Sequence, residues 1–191
     1  MIEVEVKLPI YKRSQTEKGL CGLGFIPGHL IKESDIYFTS ETHDFMQADE
    51  ALRIRRCDNL STGESSCVLT FKGPKLDSVS MTRRELETGI ADGNTGCEIL
   101  CALGYKKLAP VTKLRQYYHL EGMTACVDTV EKLGTFLELE ILTPGDSSHP
   151  EADRENALKK IEAILHDLGY SMSDTTRYSY LFMLQKKNLL Y

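Results

Sequence analysis

Residues 2–9 read Ile2-Glu3-Val4-Glu5-Val6-Lys7-Leu8-Pro9, charged and apolar side chains in strict alternation until proline stops the run. Successive side chains of a strand point to opposite faces. Glu3, Glu5 and Lys7 therefore share one face, and Val4, Val6 and Leu8 take the other. The same pattern recurs along the chain. Arg53 and Arg55 share a face against Leu52 and Ile54, and Thr70 and Lys72 oppose Leu69 and Phe71. Arg83, Glu85 and Glu87 fall together, as do Lys113 and Arg115. Asp128 follows, and then Glu138 and Glu140 with Leu137, Leu139 and Ile141 opposite.

Outward from these stretches the chain divides into recognisable elements. Strands are expected at 2–9, 29–39, 50–58, 65–73, 79–89, 111–121, 123–131 and 134–143, eight in all. Helical spacing marks 11–24 and 93–103, each closed by glycine, then Pro150 to Gly169, then about 174–188. Turns are signalled at Thr62-Gly63, Gly73-Pro74, Glu121-Gly122, Leu133-Gly134 and Pro144-Gly145. With no repeat, linker or low-complexity stretch, residues 1–191 read as a single α+β domain. Closing eight strands would remove exposed edges and leave room inside for about one small ligand.

Composition narrows the classes. The apolar fraction of 41% and charged fraction of 27% are those of an ordinary globular protein. A net charge of -5 argues against a general nucleic-acid binder, and no stacking aromatics stand beside Arg53, Arg55 and Arg56. Arg56 alone reads as a solvated surface charge. No signal peptide is read at the N-terminus and no run of roughly 18 apolar residues is present, so a cytoplasmic, membrane-free protein is expected. The six cysteines form no CxxC pair and the five histidines no HExxH, so zinc is not indicated and reduced, packed thiols are expected.

The polar faces sum to roughly seven cations and seven carboxylates, spaced about 6.6 Å apart along each strand. The apolar faces must be buried, and the helices can cover only an outer surface, so the charged face points into a lumen. Charges there are costly unless they pair, hydrate or meet a ligand. Arginine forks and lysine point charges suit a triphosphate. The acids Glu3, Glu5, Asp128, Glu138 and Glu140 become useful with Mg²⁺ or Mn²⁺, which bridges carboxylate to phosphate.

In this order the motifs resemble those of the CYTH family, the triphosphate tunnel metalloenzymes. They are Glu3-x-Glu5-x-Lys7, Leu52-Arg53-Ile54-Arg55, Phe71-Lys72-Gly73-Pro74, Arg83-x-Glu85-x-Glu87, Lys113-x-Arg115, Asp128 and Gly134 to Glu140. The resemblance spans 2–182 and implies a closed eight-stranded antiparallel β-barrel, a tunnel with helices packed outside. It implies that Glu3, Glu5, Glu138 and Glu140 hold metal, with Asp128 supporting it or orienting water. Lys7, Arg53, Arg55, Lys72, Arg83, Lys113 and Arg115 would hold phosphates, with Lys7, Arg55 and Asp128 central to catalysis. Glu85 and Glu87 would be charge partners or secondary ligands.

Glu33-Ser34-Asp35-Ile36-Tyr37-Phe38, the Lys72-Gly73-Pro74 loop and Val127-Asp128-Thr129-Val130 look like the class IV adenylate cyclase branch. There ATP would give cyclic AMP and pyrophosphate. In the triphosphatase branch, water would attack tripolyphosphate, thiamine triphosphate or a nucleoside triphosphate. Both remain open, as do a non-catalytic polyphosphate-binding module and assembly as a homodimer. Tyr37, Phe38 and Tyr178 are the aromatic residues that could face a base, against the plainer reading of all three as core.

Overall fold

Nine strands and four helices make up the computed structural model, which describes residues 2–144 and 148–188. The strands are β1 (Ile2–Pro9), β2 (Ile26–Thr39), β3 (Ala51–Asn59), β4 (Ser65–Lys75), β5 (Arg83–Ile90), β6 (Lys106–Lys107), β7 (Val111–Leu120), β8 (Met123–Val130) and β9 (Gly134–Thr143). The helices are α1 (Arg13–Gly22), α2 (Gly93–Ala102), α3 (Pro150–Asp167) and α4 (Tyr180–Asn188). Eight strands form an antiparallel ring in the order β3-β4-β5-β1-β9-β8-β7-β2, and pairing of β2 with β3 closes it. The two-residue β6 only extends β2 at Phe38 and Thr39.

The alternating charges decide which face of each strand turns in. Val4, Val6 and Leu8 of β1 join Leu137 and Leu139 of β9, Leu20 of α1 and Ile161 and Leu165 of α3 in the main apolar cluster, outside the barrel. A second outer cluster seats α2 through Cys97 on Phe38 and Ile54. Burying each such side chain stabilises by about 1.5–3 kcal/mol, which holds the helices outside and leaves the opposite, charged face to the interior. That interior is not charged throughout. Tyr37, Val111, Val130 and Phe136, on the inward side of their strands, form an apolar layer with Tyr180, and Leu181 and Leu184 of α4 pack against it.

The ring is thinnest between β5 and β1. Only Ile2↔Arg84 and Glu3↔Arg83 pair there. Beyond them the β1 edge is met by other chain segments: Met81 N–H donates to the Glu5 carbonyl at 2.9 Å and Thr176 N–H to the Lys7 carbonyl at 2.7 Å. These contacts explain two departures from the expected elements. Residues 79–82 turn rather than extend, because the Asp77 carboxylate accepts from Val79 N–H and Ser80 N–H. The last helix begins at Tyr180 rather than near 174, since Ser171 and Asp174 cap a single 3-10 turn at Met172–Asp174 and Thr176 is spent on β1. The expected strand at 29–39 starts earlier, at Ile26, with a register shift between Pro27 and Leu30.

The turn expected at Gly73-Pro74 does not form: both residues lie in β4, where Pro74, which has no N–H to donate, falls in the register shift between Lys72 and Lys75. At Glu121-Gly122 the expected turn does form. Leu120 faces Met123 across the Glu121-Gly122 turn, where Gly122 adopts φ 73°, a conformation that disfavours residues with a Cβ. The turn expected at Pro144-Gly145 reaches outside the described residues. Among the described residues no helix is long and apolar enough to cross a membrane.

Candidate functional site

The charged interior encloses a cavity of about 710 Å³. Lys7, Arg53, Arg55, Lys72, Arg83, Lys113 and Arg115 all line it, and so do Glu3, Glu5, Glu85, Glu87, Glu138 and Glu140. Asp128 does not line it; that carboxylate is wholly buried behind Lys113 and Arg115. The twelve expected site residues thus converge on one interior, eleven on the cavity wall and one behind it.

The acids divide into two groups. Antiparallel pairing of β1 and β9 sets Glu5 opposite Glu140, and ligand oxygens of Glu3, Glu5 and Glu140 lie within 4.8 Å of one another. Burial and the neighbouring Glu5 push the Glu3 carboxyl up to about 7. Burial and Glu3 push Glu140 well above the usual carboxylate range. Among the described residues Oε1 of Glu5 has no hydrogen-bond donor, and Lys7 Nζ stands 3.5 Å away. Arg115 Nη1 lies 3.5 Å from Glu140, but Arg115 and Lys7 are both shared with Glu138, which leaves the three carboxylates short of positive charge. Hard divalent cations take oxygen ligands of this kind, so the three residues fit Mg²⁺ or Mn²⁺.

Glu138 and Asp128 sit differently from the five-carboxylate metal set implied by the family resemblance. Glu138 is bonded by Arg115 Nη2 and lies 3.0 Å from Lys7 Nζ. Burial favours its neutral form, but Arg115 and Lys7 outweigh burial and hold it well below the usual range. Asp128 accepts from Arg115 Nε and Nη2 at 2.8 and 2.7 Å, Lys113 Nζ at 3.1 Å and the Tyr180 hydroxyl at 3.0 Å. Both carboxylates therefore fix cationic side chains.

A second set of acids on β2 escaped sequence reasoning as site residues. Glu33 and Asp35 are almost fully buried and face the arginines. Asp35 accepts from Arg55 Nε at 2.6 Å and Nη2 at 2.7 Å, and Glu33 lies 2.8 Å from Arg55 Nη1 and 3.2 Å from Lys113 Nζ. Burial would raise Asp35, yet Arg55 and Arg53 bring it down to about 2. The signal was present, since Glu33, Asp35 and Tyr37 alternate on one face. Tyr180 carried no such signal.

The cations are unequally occupied. Arg53 is buried with an Nε–H that lacks an acceptor among the described residues, its nearest carboxylates being Asp35 at 3.4 Å and Glu87 at 3.7 Å. Arg83 donates to the carbonyls of Asp49 and Gly73 at 3.2 and 3.1 Å. Lys72 is engaged by Glu85, whereas Glu87 accepts from the Thr70 hydroxyl at 2.7 Å and stands 3.7 Å from Arg53 Nη2. Arg56 is exposed and paired with Asp58 at 2.9 Å.

Apolar and aromatic side chains also line the cavity, among them Tyr37, Phe45, Met46, Leu108, Tyr178 and Phe182. Tyr37 belongs to the inner apolar layer and Phe38 to the outer cluster under α2. Tyr178 is half-exposed and stacks on Phe182, with centroids 4.7 Å apart and planes at 18°.

Comparison with known proteins follows this geometry. The family model described as the CYTH domain matches residues 1–180. The chain is 38% identical over 184 residues to a Methanocaldococcus jannaschii protein named "Putative adenylate cyclase MJ0240", covering 95% of this chain and 97% of the relative. The PH1819 protein from Pyrococcus horikoshii OT3 superposes with a TM-score of 0.86 at 35% identity, over 97% of this chain and 99% of that one. Hippeastrum HpAC1, an adenylyl cyclase relative described as having a dominant triphosphatase activity, shares the fold. Its TM-score is 0.68 at 20% identity, over 97% of this chain and 95% of that one.

Proposed function

The chain belongs to the CYTH domain family, and on that premise we propose that it is a divalent-metal-dependent enzyme that binds an organic triphosphate inside the barrel and breaks one P–O bond. One observation carries the reading. A buried array of arginines and lysines shares its cavity with a separate cluster of three carboxylates, Glu3, Glu5 and Glu140. A module that merely bound polyphosphate would use the cations and be weakened by those acids.

In this reading Glu3, Glu5 and Glu140 would hold Mg²⁺ or Mn²⁺, and the ion would supply positive charge against the phosphates. Arg53, with its free Nε–H, and Lys7, Arg55, Lys72, Arg83, Lys113 and Arg115 grip the phosphates. Asp128 and Asp35 keep the guanidinium planes of Arg115 and Arg55 fixed, so little reorganisation is needed when substrate arrives.

The best-supported reaction is that of an adenylate cyclase: the ribose 3′-hydroxyl of ATP attacks the α-phosphorus, pyrophosphate leaves, and the hydroxyl proton passes to solvent or a carboxylate. The name of the M. jannaschii relative supports it. The aromatic side chains in the cavity wall favour a substrate bearing a ring over inorganic tripolyphosphate. Hydrolysis is the second reading, favoured by the HpAC1 description. The six free thiols suit a reducing compartment such as the cytoplasm.

The deciding assay incubates purified protein and Mg²⁺ or Mn²⁺ with ATP, thiamine triphosphate or tripolyphosphate. Cyclic AMP with pyrophosphate supports cyclisation, and orthophosphate supports hydrolysis. Turnover of none of the three would overturn the enzyme reading.

A further inference from the structure

Tyr180 opens α4, and its side chain is drawn from the C-terminal segment into the charged interior, where it is 6% exposed. Two ammonium groups lie against its ring, Lys7 Nζ at 4.2 Å and Lys113 Nζ at 5.3 Å from the centroid. Its hydroxyl donates to Asp128 Oδ2 at 3.0 Å, the oxygen that also accepts from Lys113 and Arg115. Phe136 packs against the ring with centroids 5.0 Å apart and planes at 64°. An aromatic ring that merely filled this layer would need neither the hydroxyl contact nor the two cations.

The segment that delivers Tyr180 is itself anchored. Thr176 N–H donates to the Lys7 carbonyl, and Arg177 donates to the carbonyls of Ser80 at 3.2 Å and Asp77 at 2.6 Å. The backbone of the residue bearing one ammonium thus holds the segment bearing the ring. We infer that Tyr180 is a positioning residue for triphosphate binding, holding Lys7 and Lys113 on its electron-rich face and locking Asp128 so that Lys113 and Arg115 stay aimed at the phosphates. The inference rests on the proposed triphosphate reading.

The physical reasoning is electrostatic. Two lysine ammoniums in one buried site repel each other, and an aromatic face lowers the cost of holding both without adding a carboxylate that would compete with phosphate. A third donor on Asp128 Oδ2 also lessens its pull on Lys113.

The test uses the full chain and three replacements: Tyr180→Phe, which keeps the ring, Tyr180→Leu, which loses it, and pentafluorophenylalanine at 180, which keeps the volume and removes the electron-rich face. Calorimetry with tripolyphosphate in metal-free buffer reads affinity, and KM and kcat for the turned-over triphosphate are read in parallel. Tyr180→Phe is expected to weaken binding about threefold, and Tyr180→Leu and the fluorinated ring about tenfold or more, with KM rising alongside and kcat changing less.

A packing role alone would lower the melting temperature of Tyr180→Leu while leaving the KM of the folded enzyme unchanged. Equal affinities for phenylalanine and its fluorinated form would overturn the inference even if the leucine variant does not fold. In that outcome the wild type still binds and turns over triphosphate, so the functional reading stands. A wild type that binds no triphosphate would overturn both.

Discussion

At the residue scale, the carboxylates fall into opposite electrostatic states, and pH separates them. Glu3 is raised to about 7, by burial first and then by Glu5. Metal must displace its proton at lower pH, so Mg²⁺ or Mn²⁺ affinity should climb as pH rises toward about 7. Calorimetry at pH 6 in buffers of differing ionisation enthalpy should register proton release, and Glu140→Gln should weaken metal binding at least tenfold while sparing metal-free triphosphate binding. Asp35 is the reverse case, lowered from 3.8 to about 2 because Arg55 and Arg53 outweigh burial. Its folded form binds fewer protons than the unfolded chain. The stability it contributes, about 2 kcal/mol, is therefore present above pH 4 and lost as pH falls toward 2. Urea unfolding between pH 5 and 2 should show that loss, and Asp35→Asn should flatten it while costing about 3–5 kcal/mol near neutrality. The alternation on β2 makes Glu33 and Asp35 readable as inward residues, but their partners come from β3 and β7, which only pairing across the barrel reveals.

At the scale of elements, the helices earn their positions by what the strands leave apolar. Ile161 of α3 is fully buried against the outer face of β1 and β9. Ile161→Ala should cost about 2–5 kcal/mol in urea denaturation without altering metal or phosphate affinity, since it touches only the outer core. The C-terminal segment is held by hydrogen bonds to β1 and to the 77–80 turn. Arg177→Ala removes the two bonds to the 77–80 turn. Faster amide exchange confined to α4 and the 77–82 turn, with weaker triphosphate binding, is the expected outcome; unchanged exchange there would show that Arg177 does not anchor the segment. The strands were legible from alternation, whereas the 174–188 helix was read as continuous. Hydrogen bonds from Thr176 to β1 compete with helical ones, and no local pattern announces a distant acceptor.

At the scale of the whole molecule, the protein conceals its positive charge. The net charge is -5, yet seven cations converge on one cavity. Tripolyphosphate at 100 times its Kd should therefore stabilise the metal-free protein by about 2.7 kcal/mol, and that gain should shrink as salt screens the cavity mouth. Thermal unfolding at two ionic strengths checks it; no stabilisation at either would contradict an anion-binding interior. What the amino-acid sequence determined alone was the two-sided character of each strand, and with it the barrel's inside and outside, because a period of two sorts residues such as Glu5 and Val6 wherever the strand lies. Tertiary structure alone decided which charges neutralise one another. Glu138 and Glu140 sit two apart on the same face of β9, yet one is held closely by Arg115 and Lys7 while the other faces Glu3 and Glu5 and meets Arg115 only at 3.5 Å. Coulomb interactions depend on distances of a few ångströms between strands, and the register that sets those distances is not written in any single strand.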